Sequence, residues 1–187
     1  MNTKFRIFFL LALVFFINSL SASTPRDPYQ YFFEQSLGDL KEELEIAKSE
    51  GKKGLFVFFE MDECPFCHRM KKTVLNQSEI QDFFKQNFHS IAIDIEGDLE
   101  VVDFEGKHTT QKAFASENRV RATPVMAFYD LEGTPVVRFT GAASGAEEFM
   151  WLAEYYLDGV YKTKDESGRE VSFGKYKRFK KQQKSVN

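Results

Sequence analysis

Five consecutive residues, Leu55-Phe56-Val57-Phe58-Phe59, are apolar and β-compatible, the pattern of a strand buried on both faces. Upstream, Leu37, Leu40, Leu44 and Ala47 recur at helical spacing, and Gly51 ends the run. Ser36 with Asp39 three residues on has the form of a capping box, so the predicted helix starts at Ser36. Tyr29 to Phe33 leads into it. Beyond the strand, His68 to Leu75 reads as a helix. Ser78-Glu79-Ile80-Gln81 is a second capping pattern, which turns Ile80, Phe83, Phe84 and Phe88 inward. Ile91 to Ile95 is a further strand. Val101 to His108 reads as a short hairpin turning at Glu105-Gly106, and Thr110 to Asn118 as a short helix. Val125–Tyr129 and Pro135–Phe139 flank Asp130-Leu131-Glu132-Gly133, an antiparallel hairpin. Ser144 to Glu147 caps a last amphipathic helix carrying Phe149, Leu152, Ala153, Tyr156 and Leu157. Strands and helices in this order predict an α/β domain whose mixed central sheet is covered by helices on both faces.

The two ends break this pattern. Lys4 and Arg6 precede an apolar run, Ile7 to Ile17, interrupted by Asn18 and followed by Ser21-Ala22-Ser23. That is the form of an export signal, with cleavage expected near Ala22. The run is shorter than the ~20 apolar residues that span a bilayer, so no stable membrane span is expected after cleavage; an uncleaved anchor is the alternative. No cysteine lies near the cleavage region, which argues against a lipoprotein. Residues after Tyr161 are rich in Lys and Arg and poor in aliphatics, and read as a solvated basic tail with a weak helix around Phe173, Tyr176 and Phe179. The expected organisation is signal 1–22, domain 23–161 and tail 162–187.

Composition adds two points. Apolar residues make up 43% of the chain, 21 of them phenylalanine, so the core should be aromatic-rich. A net charge of -3 argues against nucleic acid as a partner.

The only two cysteines, Cys64 and Cys67, stand two residues apart between the apolar strand and a helix. With no third thiol, each has only the other as a partner in the chain. An oxidising compartment would explain staples, but so small a loop staples little. Reactivity is the better explanation. At the start of a helix, unpaired N–H groups and the dipole favour a thiolate on Cys64, and Pro65 suits the first helical position. Cys64 is then the entering nucleophile and Cys67, one turn on, the resolving thiol. His68 and Lys71 add positive potential beside Cys64, while Phe66 lowers the local dielectric.

These features resemble the thioredoxin superfamily: a strand ending before Cys64, the C-x-x-C opening a helix, Thr123-Pro124 before a later strand, and Gly141 after the final hairpin. The resemblance covers roughly 37–157. Cys64-Pro65-Phe66-Cys67, the small hairpin and Arg121-Ala122-Thr123-Pro124 are similar to exported thioredoxin-like proteins related to SoxW. The resemblance implies a thioredoxin-like fold, a cis-proline at Pro124 facing the cysteines, and Thr123 pairing with substrate backbone. It also implies a protein disulfide or dithiol as substrate, a redox donor protein as second partner, no cofactor, and a periplasmic or otherwise extracytoplasmic location. One departure stands out. Thioredoxin's buried aspartate would fall at Phe58. Glu60 and Glu63 lie nearby and read as solvated loop acids, with Glu60 a substitute candidate.

Cys64-Pro65-Phe66-Cys67-His68 also fits the attachment signature of c-type haem, with His68 and Met126 or Met150 as iron ligands. Such a protein has no need of the preceding strand or of Thr123-Pro124. Zinc fits less well, because His89 and His108 lie in unrelated segments. The expected reaction is therefore thiol–disulfide exchange, more in the reducing than the oxidising or isomerising direction.

Overall fold

The computed structural model describes residues 24–186, so the expected signal segment 1–22 lies outside the described residues. The elements in chain order are α1 (Pro28–Tyr31), α2 (Leu40–Ser49), β1 (Gly54–Glu60), α3 (Pro65–Thr73), α4 (Ser78–Asn87), β2 (Phe88–Asp94), β3 (Glu100–Val102), β4 (His108–Thr110), α5 (Gln111–Glu117), β5 (Val125–Tyr129), β6 (Pro135–Thr140), α6 (Ala146–Leu157), a 3-10 turn (Val160–Lys162) and α7 (Phe173–Val186). The main sheet has the order β2-β1-β5-β6, and β3-β4 form a separate ribbon. β1 runs parallel to β2 and antiparallel to β5, and β5 is antiparallel to β6. This is the expected α/β sheet with helices on both faces.

β1 is buried along its whole length because its alternate side chains enter two different cores. Phe56 and Phe58 point into an aromatic core with Phe32, Phe33, Phe84, Phe88, Phe128 and Phe149, and the same core holds both cysteines. Leu55, Val57 and Phe59 point into the opposite core, with Leu40, Leu44 and Ala47 of α2 and Phe114 of α5. The Phe84 and Phe149 rings stack at 4.5 Å, each such pair adding about 0.5–1.5 kcal/mol beyond burial.

Several boundaries differ from the sequence reading, each for a local reason. Helix α2 starts after Asp39, whose carboxylate accepts from Glu42 N–H at 2.9 Å. Ser36 caps only Gly38 N–H, and Leu37 is 95% exposed. Gly38 takes φ +91° against the Glu100 carbonyl, a conformation that a helix running through it from Ser36 could not hold. Phe88 is the first residue of β2 rather than part of the preceding helix. α6 begins after Gly145, and Ser144 Oγ donates instead to Glu148 at 2.6 Å.

The largest difference is in segment 162–187. Its 14-residue helix α7 lies against α6 rather than in solvent. Tyr176 is 9% exposed, and Phe173 meets Phe139 and Tyr155 at 5.5 and 5.7 Å. Tyr155 O–H donates to the Val171 carbonyl at 2.6 Å. Three lysines of α7 pair with α6: Lys177 with Glu148, Lys180 with Glu154 and Lys184 with Glu147.

Candidate active site

The chain leaves β1 at Glu60, crosses a four-residue loop and enters α3 with Cys64 as N-cap. Pro65 occupies the first helical position, where its missing N–H costs nothing. Cys64 and Cys67 form a disulfide. Cys64 Sγ accepts from Cys67 N–H at 3.0 Å, so one orphan donor of the helix start already points at this sulfur. Cys64 is 2% exposed and Cys67 fully buried. Phe66 between them stands out at 56% exposure, with the Arg69 guanidinium 5.3 Å from its ring centre.

His68 is held by the loop. Its Nε2 lies 2.8 Å from the Asp62 carbonyl, so that nitrogen carries the proton. Met126 is fully buried within β5, opposite Phe58 on one side and Phe139 on the other. The haem alternative therefore finds its sulfurs bonded to each other and its histidine nitrogen engaged. His89 pairs with Glu43 and His108 with Glu100. Among the described residues, no group of three or more His, Cys, Asp or Glu is placed to hold a metal ion.

Thr123-Pro124 is a cis peptide, and Pro124 is buried. The next residue, Val125, pairs with Phe59, which sets Thr123-Pro124 at the same end of β1 from which the cysteine loop departs. The Pro124 carbonyl accepts from Gly141 N–H at 2.8 Å, tying this wall to the turn after β6. Thr123 Oγ1 is buried without a hydrogen-bond partner among the described residues.

The acids divide sharply. Phe58 is fully buried where thioredoxin would have an aspartate, and Glu63 is exposed. Glu60 is not a solvated loop acid: it ends β1 and is 7% exposed. Its Oε1 accepts from Tyr29 O–H at 2.6 Å and its Oε2 from Lys71 Nζ at 2.6 Å. Lys71 also donates to Tyr29 Oη at 2.7 Å. Burial and the bond to Glu60 push the Tyr29 hydroxyl above its ordinary pKa. Burial works against the Lys71 ammonium, but its bonds to Glu60 and Tyr29 outweigh that and raise its pKa. Sequence reasoning missed this cluster. The visible signal was Lys71, one turn after Cys67 on the same helix face; nothing in the sequence pointed to Tyr29.

A mixed sheet, a disulfide at the N-terminus of the helix leaving a central strand, and a proline across from it define a thiol–disulfide oxidoreductase. The chain belongs to the thioredoxin-like domain family, whose model matches residues 40–157. A thioredoxin-fold protein from Helicobacter pylori shares 22% identity at a TM-score of 0.58, over 73% of this chain and 88% of its own. A putative disulphide-isomerase from Bacteroides thetaiotaomicron shares 25% at 0.54, over 76% and 99%. A DsbH oxidoreductase shares 20% at 0.51, over 75% and 94%. No curated protein matches the chain in sequence.

Proposed function

We propose that this chain is an exported reductase of protein disulfides, of the SoxW-like kind, in which Cys64 is the nucleophile and Cys67 the resolving thiol. The observation that carries the assignment is the contact from Cys67 N–H to Cys64 Sγ at the helix N-terminus. It favours negative charge on Cys64, and the thiolate is the attacking species. In the reduced protein, Cys64 attacks one sulfur of a partner disulfide. The Cys64–partner bond forms, the partner S–S bond breaks, and the leaving thiolate takes a proton from solvent. Cys67 then loses its proton and attacks Cys64 Sγ, which closes Cys64–Cys67 and releases the second partner thiol. The partner gains two electrons and the chain loses two, to be restored by a dithiol donor protein.

Exposed Phe66 and the backbone at Thr123-Pro124 form the walls that an extended partner segment meets, by strand addition. Pro65 and His68 hold the helix start and its loop. The Bacteroides relative, described as a putative disulphide-isomerase, supports proteins as the substrate class. Lys4, Arg6 and the apolar run to Ile17 support a periplasmic or other extracytoplasmic location. Among the described residues, no helix is long and apolar enough to cross a membrane.

Trapping tests the roles. Cys67→Ser should accumulate mixed disulfides with partners, and Cys64→Ser almost none; equal trapping by both sinks the assignment. Equilibration with glutathione tests the direction. A potential between about -270 and -180 mV fits a couple kept reduced by a donor, whereas about -120 mV would make the protein an oxidant.

A further inference from the structure

The exchange steps above make no use of Tyr29, Glu60 and Lys71, yet this cluster adjoins the cysteine helix. Lys71 follows Cys67 by four residues on α3, which places their Cβ atoms about 5–6 Å apart. The Lys71 ammonium bonds Glu60, the last residue of β1, at the end from which the cysteine loop departs, so it lies on the cysteines' side. The Lys71 and Glu60 side chains are only 15% and 9% exposed, so water screens their charges weakly. Both Glu60 oxygens are already occupied, by Tyr29 and by Lys71. Glu60 is therefore tied into the cluster through both of its oxygens. Tyr29 keeps its proton and Lys71 its charge at neutral pH.

We propose that Tyr29, Glu60 and Lys71 are positioning residues that set the redox equilibrium of the Cys64–Cys67 couple. The Lys71 ammonium favours the thiolate of the reduced form. Glu60 offsets that influence, and Tyr29, from outside the family segment 40–157, locks the two charges in register. The inference rests on the redox reading of the cysteine pair.

The test is equilibration of the full chain with glutathione, in which the protein disulfide and two glutathione thiols exchange for the protein dithiol and one glutathione disulfide. Glu60→Gln keeps the side-chain shape and one accepting oxygen but removes the negative charge. It should shift the equilibrium toward the reduced protein by about tenfold, or ~30 mV. Lys71→Met should shift it toward the disulfide by a similar factor, and Lys71→Arg should restore it to within about twofold of the unmodified chain. Thermal midpoints measured alongside separate the two kinds of role. A purely structural cluster would lose stability in each variant without moving the equilibrium in opposite directions. Shifts of the same sign, or none, overturn the proposal. If Glu60→Gln does not fold, the contrast of Lys71→Met with Lys71→Arg decides alone. A parent chain that does not equilibrate with glutathione at all would instead remove the redox reading itself.

Discussion

The chain extends beyond its family segment at both ends, and the two extensions are held by different mixtures of aromatic burial and ion pairing. At the N-terminal side, Phe32 and Phe33 are 3% and 6% exposed and sit inside the aromatic core. The Phe32 ring lies 5.7 Å from Phe56 and 5.1 Å from Phe84. At the C-terminal side, α7 is anchored by buried Tyr176 and by Phe173 against Phe139 and Tyr155, and a row of lysine–glutamate pairs joins it to α6. Apolar burial is not weakened by salt screening, whereas exposed ion pairs are. The first extension is thus part of the core, and the second adds to its aromatic contacts a set of ion pairs whose strength depends on the solution.

The sharpest way to break this comparison is Phe32→Ala. It should cost about 3–5 kcal/mol, read from the urea midpoint, because it opens a cavity among four rings. A cost near zero would place the N-terminal segment outside the core. Tyr176→Ala should cost less, about 1.5–3 kcal/mol, the value of one buried anchor. A larger loss would mean that α7 is as integral as Phe32.

The next effect is acid sensitivity. Burial would raise the Glu148 pKa, but hydrogen bonds from Ser144 and Lys177 reverse this and hold it below its ordinary 4.5. A carboxylate depressed in the folded state stabilises fully above the unfolded pKa, and that stability is lost as pH falls through the folded one. The docking of α7 should therefore weaken as pH drops below about 4.5 toward the lower folded value. Glu148→Gln should flatten this part of the pH dependence of the urea midpoint. The smallest effect belongs to Lys184→Ala. Its pair with Glu147 is 69% and 52% exposed, so the loss should be about 0–1 kcal/mol and should vanish in 1 M salt.

What the sequence revealed follows the same division. β1, the hairpin of β5 and β6 and the C-x-x-C helix were legible because each carries a local signal: an apolar run, a Gly133 turn, a proline at the first helical position. Glu60 was misread because its burial depends on Tyr29 and Lys71, which reach it from 31 residues before and 11 after. α7 was read as solvent-exposed because its sequence is aliphatic-poor. Phe173 and Tyr176 gain partners only when Phe139 and Tyr155 are brought to them by the sheet and by α6. Leu37 kept the helical spacing of α2, but the left-handed Gly38 beside it decided the outcome.

β1 has one more consequence. Phe56 and Phe58 belong to one hydrophobic core and Leu55, Val57 and Phe59 to the other, so a single stretch of backbone is shared property of both. Neither half can come apart while its neighbour keeps its packing, because pulling out the strand empties both sides at once. Melting should accordingly be all-or-none, with the calorimetric and van't Hoff enthalpies in agreement.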